Sequence, residues 1–425
     1  MNLGVKLALR TQAISLGLFC FALPLSIAGD DFSIVLLYLS GLSLLLARHQ
    51  SWPKTALNYV IPAFLFFTLA ASWIAKDVHL GLSGVRGFWR LGLPFMVALA
   101  LTETSLQRSL KILGFTTLLI GAYAAVQHYT SIDILRSPRL QAEYFPENDV
   151  WRAVGAFSHH LTFGGVNLMV WPIMALLSQV RSFKIHERWF FGIAAGLSFF
   201  GAYASLGRSI WIGLFTSCLF LAAVKLKTKA WLITLPIGLL IIGIYTLQNS
   251  PALKAEVNKL SIGPRILMGI DRGYNIDRLH MWRAGRRAIA DHPILGLGLA
   301  QGDRLQPYYD QIAKESGVPF QHKASTGVHN LYLQNLLDYG LLGALLMLVW
   351  WGYLFTQLFK QSRAAQQWDL HQALRYGIMA GMLGIWAAAF FENNFRDGEV
   401  QSMILFTHGI AIYLIQSAKA PQKAA

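Results

Sequence analysis

The chain has 425 residues, of which 55% are hydrophobic and only 13% are charged. Soluble domains carry roughly 25% charged residues, so this composition excludes an ordinary soluble protein and indicates one that lies in lipid. The two cysteines, Cys20 and Cys218, both fall inside apolar runs, which excludes a disulfide framework and a cysteine metal site.

Apolar runs divide the chain into predicted transmembrane helices, because about 18 to 20 mostly apolar residues span the roughly 30 Å hydrocarbon core. We predict twelve, at 11–29, 32–47, 58–75, 85–102, 110–127, 163–180, 189–206, 210–224, 230–247, 338–359, 374–391 and 400–418. The first resembles a signal peptide, but the second begins almost at once, so we predict a retained helix. The predicted fold is an all-α polytopic membrane protein, with residues 1–425 forming one membrane domain.

The short connections predict the orientation, because cytoplasmic connections carry an excess of lysine and arginine. One side holds Lys6, Arg10, Arg48, Lys54, Arg108, Lys111, Arg181, Lys184, Arg188, Lys225, Lys227, Lys229, Lys360, Arg363, Arg375, Lys419 and Lys423. Both termini are therefore predicted to be cytoplasmic, and the net charge of +15 does not indicate nucleic acid. The long segments 128–162 and 248–337 lie on the other side, and 248–337 is predicted to be a large helical periplasmic loop between the ninth and tenth spans.

Arginine dominates lysine in these two long segments. They hold Arg136, Arg139, Arg152, Arg265, Arg272, Arg278, Arg283, Arg286, Arg287 and Arg304. Arginine is the better bidentate partner for phosphate and carboxylate. The bias favours an anion-binding role over ordinary surface charge, although both interpretations remain open.

The hairpin 205–209 holds a single arginine, Arg208, between two spans that nearly touch. An arginine deep in the bilayer is costly, and the cost is smaller near the interface, where this residue is predicted to lie. It is either a turn residue that reaches water or an anchor for an anionic lipid headgroup.

The segment 277–298 predicts a cationic helix that ends at Pro293. Arg278, Trp282 and Arg286 recur in it at helical spacing. The following Gly296-Leu297-Gly298 predicts a tight turn, and because no strand precedes it, a Rossmann nucleotide site is excluded. Such a helix could bind a diphosphate or an anionic sugar.

His329 closes the large loop just before the tenth span. Histidine is the side chain best suited to proton transfer near neutral pH, although a histidine here could also be structural. Glu392, like Asp397, could orient a catalytic group or pair with an arginine. His159, His160 and Glu392 have no metal-ligand spacing, so no metal site is predicted.

Three motifs together resemble the O-antigen ligase family. They are the small-residue hairpin that ends in Arg208, the series Arg278, Trp282, Pro293, Gly296 and Gly298, and the series His329, Asn330 and Gly340. The number of spans, their orientation and the large loop also resemble this family, close to the bacterial lipopolysaccharide ligases.

The resemblance implies a GT-C type membrane glycosyltransferase in the bacterial inner membrane. Its donor would be an undecaprenyl-diphosphate-linked polysaccharide and its acceptor a sugar hydroxyl of lipid A–core. The two would be joined at the periplasmic face with inversion of the anomeric centre and without metal, ATP or cofactor. It implies that Arg208 and Arg278 bind the donor diphosphate, and His329 is the candidate base. Arg152, which lies before the sixth span, is the candidate third arginine of the diphosphate site. Trp282, Asn330 and Glu392 are the candidate supporting residues of this site. Membrane lipids would surround the protein.

Three other functions are consistent with parts of this pattern. An O-antigen polymerase and a protein O-oligosaccharyltransferase would use the same donor type with a different acceptor. A secondary transporter would share the twelve spans, but transporters tend to show repeated halves, and no repeat is present here.

Overall fold

The computed structural model describes residues 3–75, 77–135, 144–145, 150–226, 250–258, 276–318, 320, 323–365 and 367–418. The predicted ninth span, 230–247, lies outside the described residues. So do Arg136, Arg139, Lys227, Lys229, Arg265, Arg272, Lys419 and Lys423.

The described part of the chain is almost entirely helical. Its first helices are α1 (Leu3–Ala22), α2 (Ile27–Leu46), α3 (Leu57–Ile74), α4 (Val78–Val85), a 3-10 helix (Arg86–Gly92), α5 (Leu93–Ala100) and α6 (Glu103–Thr130). A short antiparallel pair, β1 (Tyr144–Phe145) and β2 (Val150–Trp151), precedes α7 (His160–Leu177), α8 (Ile185–Ala204) and α9 (Arg208–Leu226). The remaining helices are α10 (Pro251–Asn258), α11 (Ile276–Asp291), α12 (Gly302–Ser316), α13 (Leu331–Ala364), α14 (Leu370–Ala388) and α15 (Gly398–Ser417), with 3-10 turns at Ala324–Thr326 and Asn394–Arg396.

Eight of the described helices are long and apolar enough to cross a membrane. They are α1, α2, α3, α6, α7, α9, α13 and α15. Helices α8 and α14 coincide with two further predicted spans but are not among the eight. The protein is therefore a predominantly helical polytopic membrane protein, as predicted.

The predicted span 85–102 is wrong as a single helix. The chain instead forms α4, the 3-10 helix and α5 in succession. Gly84, Gly87 and Gly92 weaken a helix interior, and Pro94 lies at the start of α5, where a proline is favoured. Apolarity was the basis of the predicted span, whereas glycine and proline determine the backbone of this segment.

The boundary between the first two spans was also predicted in the wrong place, at residues 30–31. Helix α1 ends at Ala22 because a residue before a proline, here Leu23 before Pro24, disfavours the helical conformation. Ser26 then caps α2 by accepting a hydrogen bond from the backbone N–H of Gly29 at 3.3 Å. Asp30 is consequently buried within α2 rather than placed in a connection.

Two nearly buried helices, α7 and α15, form the centre of the bundle. Helix α7 packs against α8 and α14, α14 also packs against α9, and α15 packs against α5. Helix α13 packs against α3. This packing fixes the ends of the central helices relative to one another. A site built from several helices requires such fixed ends.

The described part of the large loop forms a small helical layer with its own apolar core. Helix α11 packs against α12, and Met281, Tyr309, Ile312 and Val328 are buried between them and α13. This layer carries Arg278 at the first turn of α11 and leads directly to His329.

The glycines of the second and third motifs join this layer to the bundle. Helix α13 is kinked at Gly340, whose φ is +65°, and the turn at Gly296 has φ +69°. The backbone N–H of Leu297 donates to the carbonyl of Leu337 at 2.6 Å, and that of Leu341 donates to the carbonyl of Pro293 at 2.9 Å. A side chain at either glycine would collide with backbone carbonyls, so the two motifs form one docking joint.

Replacing Gly340 by alanine is expected to destabilise the protein by about 1–3 kcal/mol or more, because the left-handed backbone is strained for alanine and its Cβ would meet the carbonyl of Ile294. The apparent melting temperature in detergent measures this. Gly352→Ala is the matched control, since Gly352 lies in the same helix with open space around it. Equal melting temperatures for the two variants would show that the joint does not stabilise the fold.

Candidate active site

One end of the bundle, here called the site end, collects the termini of seven described helices. Helices α6, α8 and α14 end there, and α7, α9, α13 and α15 begin there. Hydrogen bonds join the connecting segments: Ala153 N–H donates to Ala204 O at 2.9 Å, and Leu331 N–H to Ala389 O at 2.9 Å. The sequence-predicted residues Arg152, Arg208, Arg278, Trp282, His329, Asn330 and Glu392 all lie on or beside these segments.

Glu392 lies between Arg278 and His329. Its Oε1 accepts a hydrogen bond from Arg278 Nη2 at 2.9 Å, and its Oε2 lies 3.6 Å from His329 Nδ1. The Glu392 side chain is 9% exposed, whereas those of Arg278 and His329 are 27% and 30% exposed. One nearly buried carboxylate thus places a guanidinium and an imidazole side by side at an accessible surface.

The backbone around His329 is fixed on both sides. Trp282 Nε1 donates to Val328 O at 3.1 Å, and Val328 N–H donates to the Gln334 side chain at 3.0 Å. Asn330 caps α13 by accepting from Leu333 N–H at 3.0 Å, and its Nδ2 donates to Phe390 O at 3.0 Å. His329 itself adopts φ +48°, which is uncommon outside glycine and persists only where the surroundings impose it.

The hairpin before α9 positions Arg208. Leu206 adopts φ +51°, which reverses the chain within three residues, and α9 starts at Arg208. The Trp211 Nε1–H donates to Tyr203 O at 3.0 Å and the two rings stack at 5.9 Å, which locks the hairpin. Arg208 is close enough to Arg278, Arg152 and Glu392 for their charges to act on it.

Arg152 is held beside this hairpin by its neighbours. The hydrogen bond from Ala153 to the end of α8 places it there. Gln127 accepts from the N–H groups of Val154 and Gly155 at 3.1 and 2.8 Å and donates to Gly155 O at 3.0 Å. The structure therefore brings Arg152, Arg208 and Arg278 together from three distant parts of the chain.

Asp397 is a second carboxylate at the site end. It accepts a hydrogen bond from Thr162 Oγ1 at 3.0 Å instead of pairing with an arginine. Burial raises the pKa of Asp397 to about 6, and the charges of Glu399 and Glu392 act in the same direction. Sequence reasoning missed Thr162, because a threonine in the first turn of an apolar span carries no signal of its own.

A third polar cluster behind His329 was also missed. Arg396 pairs with the buried carboxylate of Asp338, which accepts from Gln334 Nε2 at 3.0 Å. Gln334 in turn holds the backbone at Val328. In the sequence, Gln334, Asp338 and Arg396 are polar residues at the edges of apolar runs. Asp338 and Arg396 are separated by 58 positions, so their pairing could not be predicted.

The described residues contain no group of three or more His, Cys, Asp or Glu side chains arranged to hold a metal ion. His159 and His160 stack on each other with ring centroids 4.4 Å apart. Glu392, the third metal candidate, is instead engaged by Arg278.

The electrostatics of the site favour an anion. Among the described residues, the guanidinium groups of Arg152, Arg208 and Arg278 lie near the carboxylate of Glu392, while the second carboxylate, Asp397, accepts from Thr162. Fixed guanidinium groups can bind a diphosphate and stabilise the charge that develops when it leaves, and a partly exposed histidine can take a proton.

A comparison with protein-family models matches residues 193–348 to the family described as O-antigen ligase. A comparison with curated proteins gives no match. The matched segment contains Arg208, Arg278 and His329, whereas Arg152 and Glu392 lie outside it. The resemblance to the O-antigen ligase family is therefore confirmed over residues 193–348, the part of the chain that supplies the histidine and two of the three arginines of the site.

Proposed function

We propose that the protein transfers O-antigen polysaccharide from undecaprenyl diphosphate to a sugar hydroxyl of lipid A–core. The observation that carries this proposal is the cluster in which Glu392 joins Arg278 and His329, with Arg208 and Arg152 beside it. A single cluster of this kind combines an anion clamp with a proton acceptor, the two functions that transfer from a lipid diphosphate requires.

The site would face the periplasm. The connection at the opposite end of α7 and α8 carries Arg181, Lys184 and Arg188, and such positive connections are cytoplasmic in bacterial membranes. Both termini would then be cytoplasmic in a chain of about twelve spans, the arrangement proposed for a GT-C type enzyme of the inner membrane.

The arginines would bind the donor diphosphate. In the reaction the acceptor oxygen forms a bond to the anomeric carbon, and the bond from that carbon to the diphosphate oxygen breaks. The bonding electrons leave with undecaprenyl diphosphate, which gains negative charge that Arg208, Arg278 and Arg152 stabilise. A single displacement inverts the anomeric centre, and cleavage of the sugar–phosphate bond supplies the energy.

His329 would accept the proton that the acceptor hydroxyl loses. Its Nδ1 faces Glu392, so the proton is taken on Nε2, and the carboxylate stabilises the imidazolium that forms. Trp282 and Asn330 fix the backbone on either side, and a misplaced base loses rate steeply.

A polymerase is the second candidate, because the family match supports O-antigen processing broadly and the donor clamp would be the same. It would differ in its acceptor, a second carrier-linked chain. A protein O-oligosaccharyltransferase would use a serine or threonine hydroxyl, and a transporter would form no glycosidic bond.

Reconstitution of the purified protein with undecaprenyl-diphosphate-linked polysaccharide and lipid A–core, in the presence of EDTA, tests the proposal. A high-mass ligated product on a gel is expected. Longer chains on the lipid carrier without that product would identify a polymerase, and movement of the lipid-linked sugar without any new bond would identify a transporter.

A further inference from the structure

A second basic cluster lies on α11, outside the site. Arg283, Arg286 and Arg287 line a cleft of about 560 Å³ between α11 and α12, together with Glu315 and Ser316. Arg287 is held by Glu315 through two parallel hydrogen bonds of 2.7 Å each. Arg283 and Arg286 are exposed and form no ion pair with the described residues, so the cleft carries two more positive charges than negative ones.

This cluster is unfavourable for the helix itself. Arg283 lies three and four residues before Arg286 and Arg287, and like charges at those spacings repel each other on a helix. Glu315 compensates only one of the three. The carboxylates of α11 itself, Asp277 and Asp291, lie at its two ends, so three arginines within five residues are better explained by an anionic partner.

The cleft lies on the same helix as Arg278 but is separate from the anion clamp. At 1.5 Å per residue, the stretch from Arg283 to Arg287 lies roughly 7–14 Å along the axis of α11 from Arg278. Arg283 and Arg287 also project from a different side of the helix than Arg278 and Trp282, which face Glu392 and Phe391, whereas Arg286 lies one turn beyond Trp282. A molecule that reaches His329 could therefore extend into the cleft while the diphosphate occupies the clamp.

The exposed face of α11 is apolar before it becomes basic. Ile276 and Leu279 are exposed at its start, and Arg283 and Arg286 continue the same stripe. A stripe that passes from apolar to cationic suits an anionic glycolipid, which presents both kinds of surface.

We propose that this cleft is the recognition site for anionic groups, phosphate or carboxylate, on the sugar portion of the acceptor. The inference rests on the proposed function and assigns the substrate class that binds beside the base. Two exposed guanidinium groups and a third held in place by Glu315 would contact those groups bidentately.

The test compares the Arg283→Gln/Arg286→Gln double variant with wild type in the reconstituted transfer assay. Two charge-assisted contacts are lost, so KM for the acceptor is expected to rise at least about tenfold, with kcat and the KM for the donor unchanged. Arg181→Gln, an exposed arginine at the opposite end of the bundle, is the control and should behave as wild type.

Acceptors lacking their phosphates, or with reduced carboxyl groups, identify the anion. The acceptor that lacks the recognised group should show the raised KM with wild type and no further rise with the double variant. An unchanged acceptor KM in an active double variant would overturn the inference and leave the proposed function intact, as would an effect on the donor KM alone. Absence of transfer by the wild type would overturn the proposed function instead.

Discussion

Substitution of His329 by alanine is expected to lower kcat by about 10²- to 10⁴-fold, the range that a positioned general base contributes. The donor should still bind, because the three arginines that would hold its diphosphate remain in place. Single-turnover transfer in vesicles measures the chemical step, and binding of the lipid-linked donor is measured separately on the same preparation.

Two features of the structure make this effect large. His329 is held in a left-handed backbone by contacts on both sides, so its imidazole has a fixed position beside Glu392. The carboxylate that would stabilise the protonated ring lies 3.6 Å from Nδ1.

His186→Ala is the matched control, since His186 is an exposed histidine at the opposite end of α8 and should leave kcat unchanged. The assignment of His329 as the base would be abandoned if H329A kept kcat within a few-fold of wild type. A variant that lost donor binding instead would place His329 in the clamp.

The sequence was sufficient to identify the local parts of the site. Arg278 and Trp282 lie one helical turn apart, and His329 and Asn330 are adjacent, so their grouping follows from spacing alone. The hairpin that ends in Arg208 was predicted for the same reason. In each case the chemistry and the backbone are contained in a few consecutive residues.

The ion pairs between distant residues could not be predicted from spacing. Glu392 was expected to orient a group or pair with an arginine, but its partner Arg278 is 114 positions away and could not be chosen among the many arginines of the chain. Asp338 and Arg396 were not paired at all, because each is a single polar residue beside an apolar run. Such pairs depend on which helices pack together, and apolar periodicity does not specify that.

Errors in the spans have a similar origin. A run of apolar residues indicates that a segment lies in lipid, and this was the basis of the predicted span 85–102. It does not show whether the backbone stays helical, which Gly92 and Pro94 decided here. Ser26 and Pro24 likewise moved the first turn by several residues, because capping and proline geometry act at single positions.

The second large effect is expected at the pair formed by Arg278 and Glu392. Arg278→Lys should lower kcat by about 10²- to 10³-fold although the charge is kept, because an ammonium lacks the planar fork that can bind Glu392 and a diphosphate oxygen together. Glu392→Gln should also lower kcat, since the imidazolium of His329 loses its nearby negative charge while the side chain keeps its shape.

A double-mutant cycle tests whether Arg278 and Glu392 act as one unit or independently. If Glu392 acts by orienting Arg278, the double variant R278K/E392Q should be little worse than the more damaged single variant, because the two substitutions remove one shared arrangement. If the effects multiply, Glu392 serves His329 alone and Arg278 serves the diphosphate alone.

Glu187→Gln, which breaks the Lys111–Glu187 pair at the opposite end of the bundle, controls for loss of an ion pair as such and should leave kcat unchanged. Full activity in both single variants would remove this pair from the mechanism, because a guanidinium and an imidazole sharing one nearly buried carboxylate could not then be part of the reacting centre.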